Sequence, residues 1–408
     1  MNHTHGTLIM AHPSLASASA MEARTAPLFR ERFRFIHPTL PPLARIVAEY
    51  RQAYHQGLVT NGRLVARLEA AVCERLGVQH CIAVSSCTSG LILAMKAFGL
   101  HGEVILPSFT FFATGHAALW NGLTPVFADC DPETWNIDPR AVENAITSRT
   151  AAILAVHLYG NPAPVAELEW IAEKHGLKLL FDAAHGFGAT YQGQPVGRFG
   201  DAEVFSLSPT KLLVAGEGGL VCTNDAILAH RLRAGRNYGD LGSYDPVLLG
   251  LNARMTEFNA AMALAGLDLV PAKVARHNQI AELYTSELRG TPGIGFQQLP
   301  PGHLSSYKDY SVRVDPAVFG MTRDELAGAL LKENIETKKY FYPPLHQQAI
   351  FRPLAARVPT RLPATEAVAE SVLSLPIYES LPAETVRQVS WAIRGLSLSA
   401  RQQGACPC

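Results

Sequence analysis

The chain has 408 residues, enough for two domains of ordinary size. Its 35 basic and 35 acidic residues cancel, which leaves no electrostatic footprint for nucleic acid or for an anionic membrane surface. Hydrophobic residues make up 48% of the chain, yet no uninterrupted apolar run reaches the length that spans a bilayer.

Residues 1 to about 25 are rich in Ala, Ser and His and lack a basic start before an apolar core. They are expected to form a disordered tail, bounded near residue 30, in a cytoplasmic protein. Pro38 to Pro42 reads as an extended lead-in to a helix that ends near Gln56, before a turn at Gly57 to Gly62. Leu64, Leu68, Val72 and Leu76 are four apart and form one buried helix face. Cys81 to Val84 is an apolar strand. The small polar loop Ser85 to Gly90 then opens a helix over Leu91 to Phe98. Such a loop presents free amides at the positive end of the helix dipole, where a phosphate binds; plain capping by Thr88 or Ser89 accounts for it equally well.

A strand over Glu103 to Pro107 leads into a helix beginning within Ser108 to Thr114, with Phe109 and Phe112 assigned to the core. Strands follow at Pro125 to Asp129 and Ala151 to Val156, with a helix at Pro139 to Ile146 between them. His157 reads as a structural histidine. A helix over Val165 to His175 precedes the strand Lys178 to Phe181. This alternation predicts an α/β protein with a mainly parallel sheet. Leu220 to Cys222 is another strand, and helices are expected at Ala226 to Ala234 and Thr256 to Leu269. Pro271 marks the expected joint to a smaller α+β unit. That unit contains the amphipathic stretch Ala272 to Leu288, the strand Tyr310 to Val314 and the helix Arg323 to Glu333. The expected division is a large domain over 31–270, a small one over 271–396, and a flexible tail over 397–408. The seven cysteines (Cys73, Cys81, Cys87, Cys130, Cys222, Cys406 and Cys408) lack the paired spacing of a zinc site, so no metal is expected.

Two stretches carry chemistry. Leu179 to His185 is an apolar run that ends in Asp182 and then His185. Ser206 stands five residues before Lys211, which precedes Gly216-Glu217-Gly218-Gly219. A lysine forms a Schiff base with an aldehyde, a carboxylate keeps a pyridinium nitrogen protonated, and Ser206 with nearby backbone can take a phosphate. Taken singly, Lys211 reads as a solvated loop lysine and Asp182 as a helix cap. Together they suit pyridoxal 5'-phosphate, with Lys211 and Asp182 as the catalytic pair.

These two blocks resemble the DegT/DnrJ/EryC1/StrS family of sugar aminotransferases, and the resemblance extends over about Phe35 to Leu396. It implies the fold of type I pyridoxal phosphate enzymes: a large domain with a mainly parallel mixed sheet between helices, and a smaller C-terminal α+β domain. It also implies a cofactor set of Thr88, Ser89, Phe111, Asp182, His185, Ser206 and Lys211, with Phe111 stacked on the pyridine ring. In the block Leu251 to Glu257, it implies that Asn252 reaches across a homodimer interface to the partner's cofactor; the residue alone reads as a helix cap. Tyr238, Tyr340 and His346 are the expected substrate residues, although Tyr340 to His346 alone reads equally as an edge strand and loop. The implied reaction moves an amino group from glutamate or glutamine to a keto sugar, most simply a nucleotide-linked 4-keto-6-deoxy sugar. A cyclitol of the scyllo-inosose type or a 3-keto sugar is the alternative acceptor. A non-catalytic, cofactor-binding regulator is the alternative of another class, and retention of Lys211 counts against it. Leu207 and Ser208 stand where many relatives have phenylalanine and histidine, and Tyr238 where many have histidine; these departures bear on the acceptor.

Overall fold

A computed structural model describes residues 26–357 and 361–404. Most of the expected N-terminal tail, and both Cys406 and Cys408, lie outside the described residues. The large sheet is built from β1 (His80–Val84), β2 (Glu103–Pro107), β3 (Thr124–Ala128), β4 (Thr150–Val156) and β5 (Lys178–Asp182). After a small hairpin of β6 (Thr190–Tyr191) and β7 (Gln194–Pro195), β8 (Ala202–Ser206) and β9 (Gly219–Thr223) complete it. Its order is β1-β9-β8-β5-β4-β2-β3, and β9 alone runs against the other strands. The strands read as near-continuous apolar runs because both faces are covered. In β5, Leu180 enters the core against helices Cys87–Phe98 and Ala226–Gly235, while Leu179 and Phe181 enter the opposite one, against helix Val165–His175.

The smaller sheet is antiparallel and contains β10 (Ile294–Phe296), β11 (Tyr310–Val314) and β12 (Val372–Leu375), in that order. Its core is shared with helices Arg323–Lys332 and Ala383–Gly404. The joint expected at Pro271 is not a linker. Pro271 lies in the first turn of helix Val270–Leu288, which runs through both units. Val270 and Val274 pack in the core of the large unit, and Ile280, Ala281, Tyr284 and Leu288 in that of the small one. The tail boundaries also shift. Leu28, Phe29 and Phe33 already pack on the smaller core, and the last helix continues to Gly404, with Ser397 buried and donating to Phe319 O at 3.2 Å. Among the described residues no single helix is long and apolar enough to cross a membrane. Helices Glu257–Leu267 and Val270–Leu288, apolar together, meet at 63°.

One buried acid fixes the entrance to the first long helices. Gly62 caps helix Arg63–Leu76 and has no side chain to satisfy its first-turn amides. Glu257, fully buried at the start of helix Glu257–Leu267, takes over. Its carboxylate accepts from Gly62 N at 2.9 Å, Leu64 N at 2.8 Å and Val65 N at 3.0 Å. Glu257→Ala strands two buried donors and a half-buried one and is expected to cost about 2–4 kcal/mol. This is read as a fall in the urea midpoint, with the exposed Glu282→Ala as the unshifted control.

Candidate active site

The strand ends of β4, β5 and β8 lie side by side, so Val156, Asp182 and Ser206 open together onto one cavity of about 360 Å³. The carboxyl edge of a parallel sheet is where such folds bind ligands. Asp182 is buried there. Its Oδ2 accepts from Thr114 Oγ1 at 2.8 Å and its Oδ1 from Ala184 N at 3.1 Å. Burial pushes its carboxyl up from the ordinary range, against the pull of those two donors and of Lys211. A cation brought beside it would return it to the charged form.

Helix Cys87–Phe98 begins on the rim, four residues earlier than the sequence suggests. Neither Thr88 nor Ser89 is its cap. Ser86 is, and Ser89 completes a capping box: Ser86 Oγ accepts from Ser89 N at 3.0 Å while Ser89 Oγ accepts from Ser86 N at 3.0 Å. Ser89 is therefore spent on the helix and does not line the cavity. Thr88 and Cys87 do, and their amides have no acceptor among the described residues. Gly219 makes this approach possible, since a Cβ there would meet Ser86 and Cys87 backbone atoms at 2.6 Å.

β8 ends at Ser206, and Lys211 sits in the turn that follows rather than at the strand's end. The turn is fastened at several points. Leu207 N donates to Gly218 O at 2.9 Å, Ala215 N to Leu207 O at 2.8 Å, and Lys211 N to Ser208 O at 3.0 Å. The buried Lys273 ammonium holds the next residue, donating to Leu212 O at 2.9 Å. Burial, and then the Lys308 ammonium in the same cavity, push Lys211 down to about 8; Asp309, Cys87 and Asp182 oppose the shift.

Across the cavity, His185 Nδ1 accepts from Tyr159 N at 3.2 Å. Burial and the two lysines hold this imidazole well below its usual range, so it is neutral and carries its proton on Nε2. Its ring is parallel to that of Phe341, with centroids 6.3 Å apart. Phe111, Tyr340 and Phe341 form the aromatic wall. Phe109 is buried as expected, but Phe112 is not. It occupies the first position of helix Phe112–Trp120, is exposed, and lies against Phe111 with centroids 3.9 Å apart.

The cavity thus gathers Thr88, Phe111, Asp182, His185, Ser206, Lys211 and Tyr340. Besides Ser89, three expected residues lie elsewhere. His346 is buried behind the wall, bonded to Ser108 Oγ at 2.7 Å and to Glu366 at 3.2 Å, in a short 3₁₀ turn rather than an edge strand. Tyr238 is on the surface with its ring over Arg254. Asn252 is exposed and bridges to Asn237; the cap of the nearby helix is Thr256. His157 is structural, fully buried, 2.9 Å from Glu203 and stacked on Phe181. Among the cavity groups that escaped the sequence reading are Cys87 and Lys308. Cys87 carried no signal beyond a small residue near a known block, and neither did Thr114, which is buried and holds Asp182. Lys308 carried one: a charged pair, Lys308-Asp309, set directly against an apolar strand.

A sequence profile of the DegT/DnrJ/EryC1/StrS aminotransferase family matches residues 43–394. The chain belongs to this family. An Escherichia coli dTDP-4-amino-4,6-dideoxy-D-glucose transaminase is 37% identical to it over 363 residues, covering 88% of this chain and 97% of the relative. An Acidithiobacillus ferrooxidans UDP-N-acetyl-3-dehydro-alpha-D-glucosamine 3-aminotransferase is 38% identical over 330 residues, covering 80% and 87%. The crystal structure of DesI with its TDP-sugar product superposes with a TM-score of 0.88 at 37% identity, covering 96% of this chain and 99% of that one. The protein is accordingly a pyridoxal phosphate-dependent aminotransferase with the type I fold.

The residues present fit that cofactor. A buried carboxylate lacks a full counter-ion, free amides end a helix beside the Ser206 and Ser208 hydroxyls, and a partly neutral amine faces them. Asp182 would hold the ring nitrogen, Ser206 with the Cys87 and Thr88 amides the phosphate, and His185 the ring's polar edge. When bound, the group supplies an electron sink for the bond broken at the substrate's α carbon. Lys211 would take the proton from that carbon and deliver it, held in place by the turn's hydrogen bonds.

Only the neutral amine captures the cofactor's aldehyde. Lys211 at about 8 is neutral in about a tenth of molecules at pH 7. Capture of pyridoxal phosphate by the apoprotein, followed by absorbance, should rise with pH, reach half its plateau near pH 8 and level off about one pH unit above. A rise that begins only beyond pH 9 would mark Lys211 as an ordinary solvated lysine.

Proposed function

We propose that the enzyme transfers the amino group of glutamate or glutamine to a nucleotide-linked 4-keto-6-deoxy sugar. The observation that carries this is the aromatic wall of Phe111, Tyr340 and Phe341 lining the same cavity as Lys211, an apolar face suited to a sugar ring. Similarity to the E. coli transaminase supports a sugar aminated at carbon 4. Similarity to the Acidithiobacillus enzyme supports a second reading, a 3-keto sugar. In the first half-reaction Lys211 removes the donor's α proton; in the second it returns a proton to carry nitrogen onto the sugar. Asp182 supplies the negative charge that keeps the ring nitrogen protonated, and the wall keeps water from the reacting carbon.

The test is a panel of nucleotide-linked 4-keto and 3-keto sugars, with a keto cyclitol, incubated with isotopically labelled glutamate or glutamine. The expected result is labelled 4-amino sugar, abolished in Lys211→Ala. Borohydride should fix the cofactor to the peptide containing Lys211. Labelled cyclitol alone, or no product with any acceptor, overturns the reading.

We further propose a homodimer with shared sites. Leu58, Val59, Leu251 and Phe258 are exposed apolar residues brought near one another by the Thr60–Thr256 bridge, and Asn252 beside them points to no group in its own cavity. A two-fold pairing would cover this surface and present Asn252 to the neighbouring cofactor's phosphate. Mixing inactive Lys211→Ala with inactive Asn252→Ala chains should then restore about a quarter of the sites, since half the dimers are mixed and each has one intact site. No recovery despite demonstrated subunit exchange would remove Asn252 from catalysis.

A further inference from the structure

Lys308 is not among the residues assigned to the cofactor above, yet it is built into the same cavity. It lies in the segment Ser305 to Asp309 that enters β11, and this segment is tied to both units. Ser306 Oγ donates to His185 O at 2.6 Å, Asn278 Nδ2 donates to Ser305 O at 2.9 Å, and His277 Nδ1 lies 2.8 Å from Tyr307 O. Lys308 is only 6% exposed. Its Nζ donates to Asp309 Oδ1 at 2.7 Å and stands 5.7 Å from the centre of the Tyr340 ring.

An ammonium has three N–H donors. Asp309 takes one, and the others have no acceptor among the described residues. Asp309 Oδ2 is also buried without a partner. A buried ion pair with unused valences on both members is expensive to keep, which points to an acceptor that arrives with a ligand.

The chemistry of the donor says which acceptor. Among the described residues lining the cavity the cations are Lys211 and Lys308, because His185 is kept neutral and no arginine lines it. Lys211 is committed to the cofactor. An α-amino acid brings a carboxylate one carbon away from the nitrogen that must reach Lys211's position, and that carboxylate needs a charged donor once water is excluded. A sugar's diphosphate stands across the ring from a carbonyl at carbon 4, so it falls farther from Lys211.

We propose that Lys308, oriented by Asp309, recognises the α-carboxylate of the amino donor and so makes the first half-reaction selective for α-amino acids. This rests on the donor reading above, and the two can fail separately. If the wild-type protein takes nitrogen from no amino acid, that reading fails. If it does so and Lys308 is indifferent, only this inference fails.

The experiment follows each half-reaction by the absorbance of the bound cofactor. In Lys308→Met the glutamate concentration giving half-maximal conversion should rise about 10–100-fold, the usual weight of a charge-assisted hydrogen bond. Loss of the Lys308 charge also lets the pKa of Lys211 rise and so changes the rates of both half-reactions alike; the keto sugar concentration giving half-maximal reaction of the pyridoxamine phosphate-loaded variant should change by less than about threefold. α-Methylglutamate has no α proton to lose and reports binding without turnover; its affinity should fall by the same factor as glutamate's. 4-Aminobutyrate lacks the α-carboxylate, so the preference for glutamate over it should collapse. If Lys308→Met does not fold, Lys308→Met with Asp309→Asn removes the whole pair and is read in the same way. Unchanged α-methylglutamate binding, or an equal rise in the half-maximal concentrations of glutamate and keto sugar, overturns the proposal. So does weakened binding of a free nucleoside diphosphate with glutamate affinity intact, which would assign Lys308 to the acceptor's diphosphate.

Discussion

An amine that must be nucleophile and base near neutral pH has to be kept from its ordinary protonation, and this requirement shapes the whole cavity. Burial of Lys211 does most of it, and a second ammonium in the same space does the rest. Each contribution needs support from elsewhere. Burial requires a turn that folds inward and stays there, which the Leu207, Ala215 and Lys273 hydrogen bonds provide. The second ammonium requires its own carboxylate, Asp309, or it would leave for water.

Those supports come from different parts of the chain. Asp182 and Ser206 come from the large sheet, and Lys308, Asp309, Tyr340 and Phe341 from the segments around the smaller one. Helix Val270–Leu288 ties them together, because its first turns pack in one core and its later turns in the other. Lys273, on the early part of that helix, holds the Lys211 turn, and His277 and Asn278, a turn later, hold the Lys308 segment. Two sides of the cavity are thus set by neighbouring turns of one helix. Relative motion of the units would change the environment of Lys211, so the site depends on this helix remaining continuous.

The strands were legible because both faces of the sheet are covered, which leaves short apolar runs with obvious ends. Asp182 was legible because it stands at such an end, and Lys211 because it stands five residues past one, ahead of a glycine-rich turn. The helix after β1 was misplaced because Ser85, Ser86, Thr88 and Ser89 are all competent caps; only the reciprocal bond between Ser86 and Ser89 decides among them. His346 was misassigned because a histidine in an aromatic stretch looks like a ligand contact, whereas packing turned it to Ser108 and Glu366. Lys308 was missed for a different reason. Its partner in space, Lys211, is 97 residues away in the sequence, and no local spacing encodes that proximity.

The departures from the common family pattern separate once they are placed. Leu207 is fully buried in the core beneath the cavity, so its change from phenylalanine is a matter of packing. Tyr238 is outside its own chain's cavity and can meet substrate only from a second copy. Ser208 alone faces the cavity, 3.3 Å from Ser206 Oγ. Where many relatives place an imidazole, this chain leaves a small hydroxyl beside the residues assigned to the phosphate. Ser208, Tyr340 and Phe341 line the same cavity as Lys308, so on the functions proposed above the large unit's small hydroxyl and the aromatic wall would bear on the acceptor, while the charge for the donor would come from Lys308 on the opposite unit.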